Sequence, residues 1–129
     1  MELEISLIHE KSPSILPVMD SISASSCLEA LGQPTRLDVF RLLVKEGEAG
    51  LPFGEIQEMT GVPASTLSHH LATLARAGVI SQTKQGRQNY SAVDFTTMHA
   101  LVEFLTAECC TLAAHDHDTA KPNALAETP

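Results

Sequence analysis

The chain of 129 residues contains three cysteines, and two of them are adjacent. Cys109 and Cys110 close the segment FLTAECC, whereas Cys27 lies far upstream. Thiolate sulfur is the ligand that soft, thiophilic ions prefer, so two neighbouring thiols can begin a bidentate site. Side chains of neighbouring residues on a regular helix point about 100° apart, so one ion reaches both sulfurs only where a helix frays or bends.

The cysteine content also indicates a compartment. Three cysteines are too few for a secreted disulfide scaffold, and an odd number favours free thiols in a reducing environment. The acidic start, MELEIS, lacks the positive charge of a signal peptide, and no apolar run approaches the ~20 residues of a membrane span. We therefore expect a cytoplasmic protein with no membrane partner.

Charge is distributed unevenly along the chain. The net charge of −8 by itself argues against non-specific binding to nucleic acid. However, residues 59–93 contain no acidic residue and hold the cations Arg76, Lys84 and Arg87. This segment predicts one locally basic face on an otherwise acidic protein.

Length and composition predict one domain with an aliphatic core. The chain is 43% hydrophobic and 19% charged, with no Trp, one Tyr and four Phe, which favours packed helices. We expect an irregular N-terminal segment over residues 1–17, the domain over residues 18–113 and a flexible C-terminal tail over residues 114–129.

Prolines, glycines and apolar spacing predict four helices in the first part of the domain. The first ends at Gly32, the second begins at Pro34, the third covers about 53–60, and the fourth begins at Pro63 and ends at Gly78. The expected apolar stripe of the first helix consists of Met19, Ile22, Leu28 and Leu31.

The last part of the domain predicts a hairpin and a final helix. The runs VISQTK and QNYSAV flank Gly86-Arg87, a pattern typical of a two-stranded hairpin with a basic loop. Asp94 is a suitable N-cap for a helix whose apolar spacing continues through Leu105, Cys109 and Leu112. This stripe is too long for the core of a small domain, so a partner helix is its expected cover.

This order of elements resembles the winged-helix repressors of the ArsR/SmtB family. The segment LEALGQPTRLDVFRLL is similar to the family's entry helices, GVPASTLSHHLATLARAGVI to its recognition helix and QGRQNYSAV to its wing. The resemblance covers roughly residues 28–110. It implies a mainly α (α+β) winged helix-turn-helix with a two-stranded β-hairpin wing and dimerisation helices at both ends.

The resemblance further implies a homodimeric repressor that binds double-stranded operator DNA and releases it when an inducer binds. Small polar side chains on the recognition helix suit base edges, and cations suit phosphates. The candidate DNA-binding residues are Ser65, Thr66 and His69 at base edges or nearby phosphates, and Ser68, Arg76, Lys84 and Arg87 on the backbone. We expect His70 to pack inward and Arg36 to be structural.

Family members differ in their inducer, so the inducer must be inferred from this chain's own ligands. The family's cysteine site at the start of the helix-turn-helix is absent, because LPFGEIQ contains no cysteine. On the final helix, Asp94, His99 and Glu103 do not reproduce the family's zinc pattern. The remaining candidates are Cys109 and Cys110, with Cys27 as a third ligand, and the expected inducer is trivalent arsenic. Arsenite is best satisfied by three sulfurs, whereas methylarsenite needs two.

Several alternatives stay open. Cys27 with Cys109 or Cys110 could make a redox or persulfide-responsive repressor. A zinc or cadmium-responsive repressor is another hypothesis, in which His115 and His117 would join the cysteine pair as ligands. A solvated tail explains these histidines better. No phosphate-binding glycine loop, G-x-S-x-G or H-E-x-x-H motif is present, so we expect neither an enzyme nor an obligatory cofactor.

Overall fold

Prolines, glycines and side-chain caps set the helix boundaries in the computed structural model, which describes residues 18–113. The expected N-terminal segment 1–17 and the expected tail 114–129, with His115 and His117, lie outside the described residues. The helices are α1 (Ser21–Leu31), α2 (Pro34–Glu46), α3 (Phe53–Thr60), α4 (Ala64–Arg76) and α5 (Phe95–Thr106), and the strands are β1 (Leu51–Pro52), β2 (Ile80–Gln85) and β3 (Gln88–Val93).

Three helices begin at side-chain caps. The carboxylate of Asp20 accepts a hydrogen bond from the backbone N–H of Ser23 at 2.8 Å, and that of Asp94 accepts one from Thr97 at 3.0 Å. The Gln33 side chain caps α2 in the same way, with Pro34 in its first turn. The predicted cap role of Asp94 is therefore confirmed, and each cap satisfies an N–H group that the helix itself leaves unpaired.

The hairpin is confirmed, but it belongs to a three-stranded antiparallel sheet with the order β1-β3-β2. Strands β2 and β3 pair from Ile80 opposite Val93 to Gln85 opposite Gln88. The sequence predicted the two-stranded hairpin but not β1, where Leu51 pairs with Ser91. A strand is recognised in a sequence by the alternation of apolar and polar side chains, and the two residues of β1 are too few to show it.

The core is aliphatic, as expected, and lies between α2, α3, α4 and the sheet. Its fully buried large side chains are Leu43, Ile56, Leu67, Leu71, Leu74, Val39 and Val79. Helices α3 and α4 form a helix-turn-helix, and the hairpin packs beside it. This arrangement is the winged helix-turn-helix fold.

The expected stripe on α1 is wrong for two of its four residues: Met19 and Leu31 pack against the core, but Ile22 and Leu28 are exposed. The buried residues of this helix are Ala24, Cys27 and Ala30, whereas Ile22 is 81% exposed and Leu28 is 43% exposed. Small side chains let α1 approach α2, α4 and α5 closely, and Ile22 and Leu28 remain on the surface.

The final helix is shorter than predicted. It ends at Thr106, and Ala107 adopts an extended conformation. Turns follow, with positive φ angles at Glu108 and Cys110. The apolar spacing continues past this point, but Leu112 is 83% exposed and has no core to pack against. Without such packing the helix gains too little from further turns to continue.

Candidate functional site

The recognition helix α4 separates two kinds of side chain. Its buried face carries Leu67, His70, Leu71 and Leu74. The candidate residues Ser65, Thr66, Ser68 and His69 are all exposed in its first half. The structure therefore brings these four candidates together on one helix, where hydroxyl and imidazole groups face outward.

The start of α4 is open to a ligand. Gly61 adopts the left-handed conformation that ends α3, and Pro63 precedes α4 without a side-chain cap. The first N–H groups of α4 therefore have no side-chain acceptor, and the helix dipole favours a negative group at this position. Phosphate oxygen is such a group.

The three candidate cations occupy two other places. Arg76 is exposed in the last turn of α4, and its guanidinium donates a hydrogen bond to the Thr73 hydroxyl at 3.4 Å. It lies about 16 Å along the helix axis from Ser65. Lys84 on β2 and Arg87 in the hairpin turn are exposed at the tip of the wing. Positive charge is thus present at the end of the helix and on the wing.

His70 packs inward, as predicted. It is 8% exposed, and its Nδ1 lies 3.5 Å from Nη1 of Arg36. Burial, with smaller contributions from Arg36 and His69, lowers the pKa of His70. The neutral imidazole accepts a hydrogen bond from Arg36, whose Nε donates to the carbonyl oxygen of Ala30 at 2.6 Å. The sequence indicated a structural Arg36 but not these partners.

The two adjacent cysteines converge. Both side chains are exposed, and their sulfur atoms lie 3.3 Å apart. The hydrogen bond to Cys110 and the repulsion of a second thiolate raise the pKa of Cys109. The sulfurs meet because the chain has left α5, so the 100° separation of a regular helix does not apply.

Cys27 has a different environment. It is 2% exposed, and its thiol donates a hydrogen bond to the carbonyl oxygen of Ala77 at 3.6 Å. Burial raises the pKa of the Cys27 thiol and keeps it away from solvent. Across residues 18–113, no three His, Cys, Asp or Glu side chains are grouped to hold a metal ion. Cys27 therefore does not complete a three-sulfur site with the pair in one protomer.

The carboxylates and histidine considered for zinc are also apart from the thiols. Asp94 is engaged as the N-cap of α5, while His99 and Glu103 are exposed on its surface. Asp94 therefore has the position of a helix cap, and His99 and Glu103 have those of a solvated helix face.

Helices α1 and α5 pack together and leave apolar side chains on the surface. Ile22 is 81% exposed on α1, and Val102 and Leu105 are 53% and 55% exposed on α5. Large apolar side chains exposed on two packed helices are typical of an interface. No helix among the described residues is long and apolar enough to cross a bilayer.

Comparisons with known proteins agree with this architecture. Residues 31–83 match a family described as a helix-turn-helix domain. The chain is 33% identical over 91 residues to the cadmium resistance transcriptional regulatory protein CadC of Listeria innocua, with 67% of this chain and 75% of CadC covered.

Two solved structures share the fold. An ArsR-like transcriptional regulator from Rhodococcus sp. RHA1 has a TM-score of 0.65 at 20% identity, with 78% of this chain and 94% of that chain covered. The homodimeric winged helix-turn-helix domain of Mb0332 from Mycobacterium bovis has a TM-score of 0.53 at 21% identity, with coverages of 78% and 87%. The chain belongs to the ArsR/SmtB family of winged helix-turn-helix transcriptional regulators.

Proposed function

We propose that the protein is a homodimeric repressor that binds operator DNA and releases it when Cys109 and Cys110 bind a trivalent arsenical. The observation that carries this proposal is the pair of exposed sulfur atoms 3.3 Å apart just beyond α5. Two accessible, convergent thiols are a chelating group for a soft ion.

The distance between the sulfurs lets one ion bind both of them. With bonds of about 2.3 Å, the usual length for zinc and thiolate, two sulfurs separated by 3.3 Å subtend an angle of about 90° at the ion. Trivalent arsenic, with three bonds and a lone pair, adopts a compressed angle of this kind. A tetrahedral ion such as zinc prefers about 109° and needs four ligands.

The number of thiols favours an arsenical with two exchangeable positions. The whole sequence has three cysteines, and Cys27 is buried with its thiol bonded to Ala77. Methylarsenite carries one carbon and two hydroxyl groups on arsenic. Two thiols displace both hydroxyls, forming two As–S bonds and releasing two water molecules, with no change in oxidation state.

The dimer is expected to form through α1 and α5. Ile22 on α1 and Val102 and Leu105 on α5 are exposed apolar side chains, and contact with the same two helices of a second copy would bury them in a two-fold symmetric interface. Such a dimer presents two α4 helices to the successive major grooves of a two-fold symmetric operator. Since a repressor of this kind acts on operator DNA, the proposed location of the protein is the cytoplasm.

DNA contact is assigned to α4 and the wing. Ser65, Thr66 and His69 are exposed where a recognition helix meets base edges or nearby phosphates, and Ser68 lies beside them. The exposed Arg76, Lys84 and Arg87 supply the phosphate contacts. No catalytic step is required, because binding and release account for regulation.

Inducer binding reaches the DNA through the dimer. Two residues separate Cys109 from the end of α5 at Thr106, so an arsenical that draws the two thiols together alters the end of an interface helix. Release requires the arsenical to bind the DNA-free arrangement more tightly, by about 1–3 kcal/mol of coupling free energy. A small change at the interface then changes the spacing of the two α4 helices.

A redox mechanism is less well supported. Consecutive Cα atoms lie about 3.8 Å apart, whereas disulfide-linked Cα atoms are usually about 4.4–6.8 Å apart, so a bond between Cys109 and Cys110 is strained. Cys27 is buried and bonded to Ala77. The name of CadC favours cadmium as a second candidate ion, but cadmium requires further ligands that the thiol pair alone does not provide.

The test is operator release by the fully reduced, full-length protein. Fluorescence anisotropy with labelled operator compares methylarsenite, arsenite, cadmium and zinc, for the wild-type protein and for C109S/C110S. We expect methylarsenite to release wild-type protein only, with operator affinity in its absence unchanged by the substitutions. Release of the double variant, or release of the wild-type protein by zinc alone, would contradict the proposal.

A further inference from the structure

Two polar contacts join the interface helix α1 to the recognition helix α4. The first runs from the carbonyl oxygen of Ala30 through Arg36 to His70, and the second joins the thiol of Cys27 to the carbonyl oxygen of Ala77. Because α1 carries exposed apolar residues and α4 carries the candidate base-reading residues, these contacts connect the two working surfaces of the protomer.

We propose that Arg36 is a positioning residue that fixes α4 against α1 and transmits displacement of the dimer interface to the DNA-reading surface. The inference rests on the proposed function for the direction of signalling. The positioning of α4 by Arg36, in contrast, applies to operator binding without any inducer.

The geometry of Arg36 suits this role. It lies in the first turn of α2, where its backbone N–H is bonded to the Gln33 side chain at 2.8 Å. Its Nε donates to Ala30, in the last turn of α1, and its Nη1 reaches Nδ1 of His70 in the middle of α4. One planar guanidinium therefore joins two helices in a fixed direction, which a single ammonium group cannot reproduce.

His70 relates this contact to DNA recognition. It lies next to His69 and one helical turn after Thr66, both of which are exposed candidates for DNA contact. Because α4 is rigid, a shift of the His70 ring with respect to Arg36 also shifts Thr66 and His69 on the same helix. Cys27 restrains the other end of α4 through Ala77, so rotation and translation of the helix are both limited.

A double-mutant cycle on operator affinity tests the positioning role. R36Q, H70L and the double variant are compared by anisotropy in the absence of inducer. We expect each single variant to weaken operator binding by about tenfold, and the double variant to be little worse than either, since both lose one shared contact. H70Q retains an acceptor and is expected to restore most of the affinity, which a purely space-filling role for His70 does not predict.

R36K is the second variant, for use where R36Q fails to fold. Its ammonium can serve Ala30 or His70 but not both in the observed geometry, so we expect the same weakening with an unchanged net charge. Additive losses in the cycle, equal affinities of H70Q and H70L, or wild-type affinity in R36K would overturn the proposal. Release of operator by methylarsenite is measured separately, with C109S/C110S. If the assignment of the inducer site to these thiols fails, the operator affinities of the Arg36 and His70 variants still test the positioning role.

Discussion

Cys109 and Cys110 hold their sulfur atoms 3.3 Å apart at the point where the chain leaves its last helix. The two features depend on each other. Had α5 continued past Thr106, adjacent side chains would diverge by about 100° and one ion could not bind both thiols. The turn through Glu108 and Cys110, with positive φ at each, thus creates the chelating arrangement.

The close packing of β1 on β3 predicts that Gly50 cannot be replaced. A Cβ at Gly50 would lie 2.5 Å from the carbonyl oxygen of Ser91, and its φ is +76°. We expect G50A to lower the free energy of unfolding by about 2–3 kcal/mol. Chemical denaturation measures this.

Gly54 provides the matched control. It lies in α3, where an added Cβ meets no atom within 4 Å, and we expect G54A to raise stability by up to about 1 kcal/mol. Equal effects of the two substitutions would contradict the packing described for β1.

The wing predicts a change in salt dependence. If Lys84 and Arg87 contact phosphates, K84A and R87A each remove one contact per protomer. The slope of log affinity against log salt then decreases by about 1.8 for a dimer, at about 0.9 per phosphate. Operator titrations at several salt concentrations give this slope. T83A, an exposed neutral position on β2, serves as the control. Unchanged slopes in both cation variants would show that the wing does not contact DNA phosphates.

The apolar face of α1 and α5 predicts a variant that is monomeric. L105R places a charge at a residue that is 55% exposed in the protomer, and two-fold symmetry introduces it twice. We expect the dimer dissociation constant to increase by a factor of about 100 or more. Analytical ultracentrifugation compares it with T96R, an exposed position on the same helix. A wild-type dimer in L105R would place the interface elsewhere.

Cys27 offers a pair of variants that separates packing from ion binding. C27A removes the donor to Ala77 and leaves space in a buried site, so we expect a loss of about 1–2 kcal/mol in stability. C27S keeps a donor and is expected to lose less. Both variants should still release operator with methylarsenite in the anisotropy assay. Loss of release in both, with the fold intact, would make Cys27 a ligand.

Most of the fold follows from local signals in the sequence. Pro34 and the N-cap Asp94 mark helix starts, Gly32 and Gly61 mark helix ends, and Gly86 marks the hairpin turn. Each acts through its own backbone or side chain, so a single sequence is sufficient to locate it.

The features that the sequence did not predict depend on tertiary contacts. Apolar spacing cannot distinguish the core from a partner-facing surface, so the sequence did not predict that Ile22 on α1 is exposed. The same spacing continued α5 to Leu112, since no glycine or proline marks the break after Thr106. The contact between Arg36 and His70 joins residues 34 positions apart and has no local signal.

An arsenical held by Cys109 and Cys110 has two sulfur neighbours. Arsenic-edge X-ray absorption spectroscopy of the reduced, full-length protein loaded with methylarsenite tests this arrangement, because the spectrum counts the atoms bound to arsenic. We expect two sulfur atoms and one carbon atom bound to arsenic in the wild-type protein. A spectrum with fewer than two sulfur neighbours per arsenic, or one that C109S/C110S leaves unchanged, would contradict it.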